Sequence, residues 1–260
     1  MRTFLLFDIP DFSSPQVWIS LLTLTFLEIV LGVDNIIFIT IASNRLPEEK
    51  KPRARNIGLI LAMIFRVVLL FGISYLIAMS KPIVNIQGSF FSVGLSGQAI
   101  ILILGGIFLL YKSVTEIHHK LEGHGVGEQT KEVNLKNSLS RVIIQISLIN
   151  IVFSFDSILT AVGLTDNVLI MMIAVIFSVL IMMLFAGPVG KFVNDHPTIQ
   201  MLGLSFLLLI GFMLIAEGAN LGHVSIGGAE MGTVPKGYLY FAIAFSLLVE
   251  FFNMRLRKKP

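Results

Sequence analysis

Seven runs of some twenty apolar residues recur along this chain, at about 16–43, 57–79, 94–112, 139–164, 167–187, 198–216 and 236–254. A helix needs ~20 mostly apolar residues to cross the hydrocarbon layer of a bilayer, so each run is the length of one crossing. Backbone N–H and C=O groups cannot go unpaired in lipid, which leaves helices or a closed barrel. The strict apolar–polar alternation of barrel strands is absent. The expected fold is an all-α polytopic membrane protein of seven transmembrane helices. Composition agrees: 55% of the 260 residues are hydrophobic and 13% charged, against ~25% charged in a soluble domain. The fourth and fifth runs are separated only by "LTDN" at 164–167. Residues 113–138, which include "EGHGVGEQTKE", read as a flexible connector.

Charge in the loops sets orientation, because Lys and Arg accumulate on the cytoplasmic side. Arg45, Lys50, Lys51, Arg53 and Arg55 lie in the first connection, Lys120, Lys131, Lys136 and Arg141 in the third, and Lys191 in the fifth. The even connections offer Lys81 and Lys236, and the chain ends "RLRKKP". The N-terminus is therefore expected outside and the C-terminus in the cytoplasm. Asp8 and Pro10 interrupt the first apolar stretch, which does not read as a cleavable signal peptide. The net charge of +3 is spread over short loops, which does not suggest a nucleic-acid binder. With no cysteine there is no disulfide and no thiolate metal site, so any metal must be held by oxygen or His.

Polar residues inside the spans are the exception that carries chemistry. Residues 28–36 read "EIVLGVDNI" and residues 150–158, on the fourth span, read "NIVFSFDSI". The alignment matches Ile29 with Ile151, Val30 with Val152, Asp34 with Asp156 and Ile36 with Ile158. It also sets Asn35 against Ser157, Gly32 against Ser154 and Glu28 against Asn150. The aspartates give the match its weight, since a charge at a helix centre costs ~2.5–3.5 kcal/mol on insertion scales. The copies lie on the first and fourth spans, and three spans per unit is an odd number, so the second unit enters the membrane from the opposite side. This is the inverted-repeat plan of many secondary transporters, whose sites lie near the midplane between the halves. One transmembrane domain is expected over 1–260, with a first repeat at about 16–116, a second at about 139–217 and an extra helix at 236–254.

Asp34, Asp156, Glu28 and Arg66 are expected to face each other, an aqueous cavity or an ion. Glu28 and Asn35 share a helix face, while Asp34 points ~120° from Glu28, so loosening of the helix near Gly32 would help the three converge. Hard oxygen ligands of this kind suit Mg²⁺, Ca²⁺ or Mn²⁺. Carboxylates also exchange a cation for protons, and moving a dication out against 100 mV inside-negative costs ~4.6 kcal/mol, which two imported protons balance in charge. The bland readings are interhelical hydrogen bonding for the aspartates and a counter-charge to an aspartate for Arg66. Glu116 and Glu217 close the third and sixth spans and read as gate or accessory groups, or as ordinary solvated carboxylates. Asn150 is a further accessory candidate. His118, His119 and His124 fall in a polar connector and are read as non-ligands, and Gly105 and Gly106 as close-packing positions. No nucleotide cradle or nucleophilic triad stands out, and no resident cofactor is expected. An aspartyl protease of the membrane is disfavoured because "LGV" and "FSF", not Gly-x-Gly, precede the aspartates.

The ordered segments "FLEIVLGVDNIIFI", "RNIGLILAMIFRVVLL", "LGGIFLLYKSVTEIHHKLEG", "IVFSFDSILTAVGLTD", "GPVGKFVNDHPTIQMLGLSFLLLIGFMLIAEG" and "PKGYLYFAIAFSLLVE" resemble the TerC family of integral membrane proteins along almost the whole chain. That resemblance implies a bacterial plasma-membrane protein exporting Mn²⁺ from the cytoplasm, two inverted three-helix units and metal-handling residues at Glu28, Asp34, Asn35, Asp156 and Ser157. It also implies Asp166 as an outer contact and fits Arg66. The family's association with tellurium resistance, and members that assist other membrane proteins without transport, supply the competing expectations, as does Ca²⁺ as cargo. A tellurium oxyanion suits so many carboxylates poorly, since like charges repel.

Overall fold

A computed structural model describes residues 9–44, 46–88, 91–122, 135–165 and 167–257. Eight α-helices are described: α1 (Pro15–Ser43), α2 (Lys51–Phe71), α3 (Ile73–Ala78), α4 (Gly97–Glu122), α5 (Leu135–Val162), α6 (Val168–Asp195), α7 (Pro197–Leu221) and α8 (Lys236–Arg257). All but α3 are long and apolar enough to cross a membrane, which bears out the seven expected spans. Proline at the start of α1, α2 and α7 suits a first turn whose N–H has no intrahelical acceptor. The "LTDN" break is real. Asn167 Oδ1 accepts the backbone N–H groups of Leu169 and Ile170 at 3.0 and 3.1 Å, capping α6.

Several boundaries differ from those expected. The third span begins at Gly97 rather than 94 and runs ten residues beyond 112, because Lys112, Glu116 and Lys120 continue its amphipathic face. Residues 113–122 of the expected connector are therefore helix, 135–138 open α5, and 123–134, including His124, lie outside the described residues, as does the N-terminal segment 1–8. The fifth span passes through Pro188 to Asp195. Proline removes one backbone donor, which a helix embedded among other helices tolerates. The second span stops at Phe71, where Gly72 turns the chain into α3.

Small β elements complete the described fold and were not expected. Strands β1 (Pro82–Gln87) and β2 (Phe91–Ser96) pair antiparallel, with Val84 opposite Leu95 and Gln87 opposite Ser92. β3 (Ser225–Ile226) pairs with β2, and β4 (Ala229–Glu230) with β3. Gly227 and Gly228 take positive φ of 61° and 81° in the tight β3–β4 turn, a conformation that favours glycine. The backbone N–H of Gly94 donates to Gly222 at 2.7 Å and so ties the sheet to the end of α7.

The chain divides into two compact units. The first comprises Met1–Ala78 and Thr130–Phe192, hence α1, α2, α3, α5 and most of α6. The second comprises Met79–Gln129 and Val193–Pro260, hence the sheet, α4, α7 and α8. In the second unit α4 and α7 cross closely and antiparallel. A Cβ on Gly106 would stand 2.6 Å from the Gly211 carbonyl oxygen, and one on Gly218 would stand 2.9 Å from that of Ala99. Missing side chains let two backbones approach, as membrane helices commonly do.

Candidate functional site

Both sequence motifs lie in the first unit, on α1 and α5. Their relative direction follows from two independent levels. A Cβ on Gly58 of α2 would meet both Ile39 of α1 and Ile146 of α5. Some way along, Leu24 and Glu28 of α1 line one cavity with Ile158 and Ala161 of α5. Residue numbers rise on α1 as they fall on α5, so the motif helices are antiparallel. Both levels put Gly32 opposite the neighbourhood of Phe153 and Ser154, so that Gly32 and Ser154, the small residues at matching positions of the two motifs, lie close to one level. The backbones at Asp34 and Asp156 then stand on either side of that level, about 7.5 Å apart along the axes at 1.5 Å per residue. The Asp34 side chain lies outside the described residues, and so does the whole of Asp166.

α1 does not loosen at Gly32; it is helical from Pro15 to Ser43. Gly32 instead receives the Met182 side chain of α6, whose sulfur occupies the place a Cβ would take. Continuous helix keeps Glu28 about 9 Å along the axis from Asp34, at the 1.5 Å rise of each residue. Glu28 is 4% exposed and accepts a charge-assisted hydrogen bond from Nη1 of Arg66, itself 2% exposed. Arg66 is thus a counter-charge as expected, but to a glutamate rather than an aspartate. On its other side Glu28 is the one polar wall of a cavity of about 10 Å³, closed by Leu24, Leu70, Ile158, Ala161, Met171, Ala174 and Val175. That volume is at the lower bound for one water molecule.

Asn150, the second motif's counterpart of Glu28, also turns to α2. Its Nδ2 donates to the Gly58 carbonyl at 3.2 Å. Ser157 Oγ donates to the Ser154 carbonyl at 3.2 Å, and Thr160 Oγ1 to the Asp156 carbonyl at 3.0 Å. These bonds leave two buried oxygens over. Asn35 Oδ1 and Ser154 Oγ have no hydrogen-bond partner among the described residues, and their residues are 3% and 1% exposed. An unmet buried polar atom costs ~1–3 kcal/mol, so oxygens left open within both motifs suit a hard cation. Ser154 entered the sequence comparison only as the small partner of Gly32; its burial on the helix face, invisible in one dimension, brings out the hydroxyl. Among the described residues no three His, Asp or Glu side chains gather into a metal-holding group.

The remaining candidates lie in the second unit. Glu116 is 5% exposed and Lys112 Nζ stands 3.6 Å from it, while Lys120 on the next turn bonds Gln200 of α7. Glu217 has Lys236 Nζ at 3.6 Å. Because α4 and α7 are antiparallel, these glutamates occupy opposite ends of the pair, about 24 Å apart at 1.5 Å per residue. His118 pairs with Glu122 at 2.9 Å, both well exposed.

Residues 13–259 match the family model described as the integral membrane protein TerC family. The chain is 43% identical over 247 residues to the UPF0053 inner membrane protein YgdQ of Escherichia coli K12, covering 95% of this chain and 96% of that protein. A UPF0053 protein of Haemophilus influenzae is 42% identical over 246 residues, covering 95% and 97%. The UPF0053 inner membrane protein YoaE of E. coli K12 is 42% identical over 250 residues, which make up 94% of this chain but 44% of YoaE. No solved structure matches. A family match from residue 13 to 259, over seven helices of membrane-spanning length, establishes that this chain belongs to the integral membrane protein TerC family.

Proposed function

We propose that this protein is a secondary transporter that exports a divalent metal, Mn²⁺ foremost, in exchange for protons. It is a carrier rather than an enzyme, seated in the bacterial inner membrane like the relatives whose names say so, with the N-terminus outside and the basic C-terminus in the cytoplasm. Asp34, Asn35, Asp156 and Ser157 would hold the ion, and Glu28 would tune it from the next turn and a half of α1. One observation carries the reading. The antiparallel register centres both motifs on Gly32 and Ser154, with the two aspartate backbones offset by about five residue rises along the helix axes, ~7.5 Å. A cation held between carboxylates binds each oxygen at ~2.0–2.6 Å. The unmet oxygens of Asn35 and Ser154 add neutral donors of the right hardness. Two carboxylates cancel a dication, and reprotonating both returns the carrier uncharged, which gives the proton exchange its stoichiometric logic.

The experiment is Mn²⁺ flux into proteoliposomes holding the full chain. Wild-type flux well above empty vesicles is expected, and Asp34→Asn and Asp156→Asn should each abolish it while inserting normally. Near-wild-type flux by either variant removes the paired-carboxylate site. A wild type that moves no Mn²⁺ removes the transport reading, and the same assay with Ca²⁺ separates the two cargoes.

A further inference from the structure

The Arg66–Glu28 pair is a strange fixture if its role is stability alone. A buried ion pair seldom stabilises more than apolar side chains of equal volume would, because both charges lose their hydration. Buried arginines that serve as struts spend their planar fork on two parallel bonds to a carboxylate. Arg66 makes one, through Nη1, and its Nε is buried with no partner among the described residues. Among the described residues Glu28 accepts from Arg66 alone, and it also lines the small cavity with apolar neighbours. The link is single-point and separable.

Its position matters as much as its form. The α1–α5 register sets Glu28 level with Ser157, one residue from Asp156, and the same cavity that Glu28 lines is closed on α5 by Ile158. The guanidinium therefore stands at the level of the second motif's carboxylate. A fixed positive charge there raises the energy of a dication held between the motifs, and the interaction is strong where water is scarce.

We propose that Arg66 is the resident cation of the transport site. Its guanidinium neutralises Glu28 when no metal is bound, and it opposes the bound dication so that the metal leaves again. This rests on the transport reading above and adds to it a residue that sets affinity against turnover. Arg66 is a positioning residue here, acting on the ion through Glu28 and through its charge, without coordinating the metal.

The test compares wild type with Arg66→Gln, Arg66→Lys, Glu28→Gln and the Glu28→Gln/Arg66→Gln double variant, each as full chain. Mn²⁺ binding is measured in detergent and flux in proteoliposomes. Arg66→Gln should bind Mn²⁺ about tenfold more tightly, the effect of ~1.4 kcal/mol of lost charge coupling, and turn over about tenfold more slowly, lowering KM and kcat together. Arg66→Lys keeps the charge and one-point bond, so it should stay near wild type in both. In the Glu28→Gln background, adding Arg66→Gln should shift affinity by less than in wild type, since the carboxylate linking the two is gone. Weaker or unchanged binding by inserted, monodisperse Arg66→Gln overturns the proposal, as does Arg66→Lys behaving like Arg66→Gln. If Arg66→Gln does not insert, an affinity in Arg66→Lys that departs from wild type overturns it. Wild-type flux with these outcomes sinks the role of Arg66 alone, whereas a wild type that neither binds nor moves Mn²⁺ sinks the transport reading and this proposal with it.

Discussion

Gly106 of α4 and Gly211 of α7 meet backbone to backbone: a Cβ on Gly106 would stand 2.6 Å from the Gly211 carbonyl oxygen, nearer than real Cβ atoms come. That carbonyl is helix backbone and cannot rotate aside, whatever the Ile215 side chain at 2.7 Å does. Gly106→Ala should force α4 and α7 apart and cost ~1–3 kcal/mol, the range for overpacked positions. Gly32 gives the contrast. Its intruder is the thioether of Met182, a side chain with three rotatable bonds, so Gly32→Ala should cost well under Gly106→Ala. Thermal unfolding of both variants in one detergent checks the order, and equal losses refute it.

Asn150 should not tolerate its acid. The amide donates to the Gly58 carbonyl, which in Asn150→Ala is lost at the usual ~0.5–1.5 kcal/mol. In Asn150→Asp a carboxylate would face that carbonyl oxygen, repelled by it and stripped of water. Asn150→Asp should therefore be less stable than Asn150→Ala at pH 8. Thermal unfolding of the two variants in one detergent checks the order, and an Asn150→Asp at least as stable as Asn150→Ala contradicts the argument.

Glu116 and Glu217 should act separately. They sit about 24 Å apart at opposite ends of the α4–α7 pair, by the helix rise, each beside its own lysine. Distant sites add within ~0.5 kcal/mol. The stability losses of Glu116→Gln and Glu217→Gln should therefore sum in the double variant, whatever their effect on flux. A coupling of ~1 kcal/mol or more would reveal a shared element.

Proton exchange should be visible as acid. With two protons per metal the cycle moves no net charge, so an imposed 100 mV, worth ~2.3 kcal/mol per charge, should leave Mn²⁺ flux nearly unchanged. A pH gradient should drive it. A vesicle-trapped pH dye reports the protons, and flux that follows voltage while ignoring pH argues against the scheme.

Much of this was readable from the chain. Seven apolar runs are seven helices because lipid allows no other open arrangement of the backbone. The twin motifs announced their importance through cost alone, since Asp34 and Asp156 are expensive where they stand. The hairpin of β1 and β2 was hidden because "PIVNIQ" and "FSVGLS" are apolar enough to pass for the flanks of spans. The reach of α4 to Glu122 was hidden because a hydropathy window ends where charge begins, whereas the helix continues along its packed face.

The sequence by itself determined the spans, the pair of rare aspartates and the family, for each depends on which residues are present and in what order. Only the tertiary structure decided that Arg66 answers Glu28, that α1 stays helical through Gly32 against Met182, and that Glu116 and Glu217 lie at opposite ends of one helix pair. Those choices turn on which helix face meets which neighbour at what height. Helices of equal apolarity slide and rotate past one another at almost no cost in burial, so close packing at a few small residues and single polar bonds settle the register.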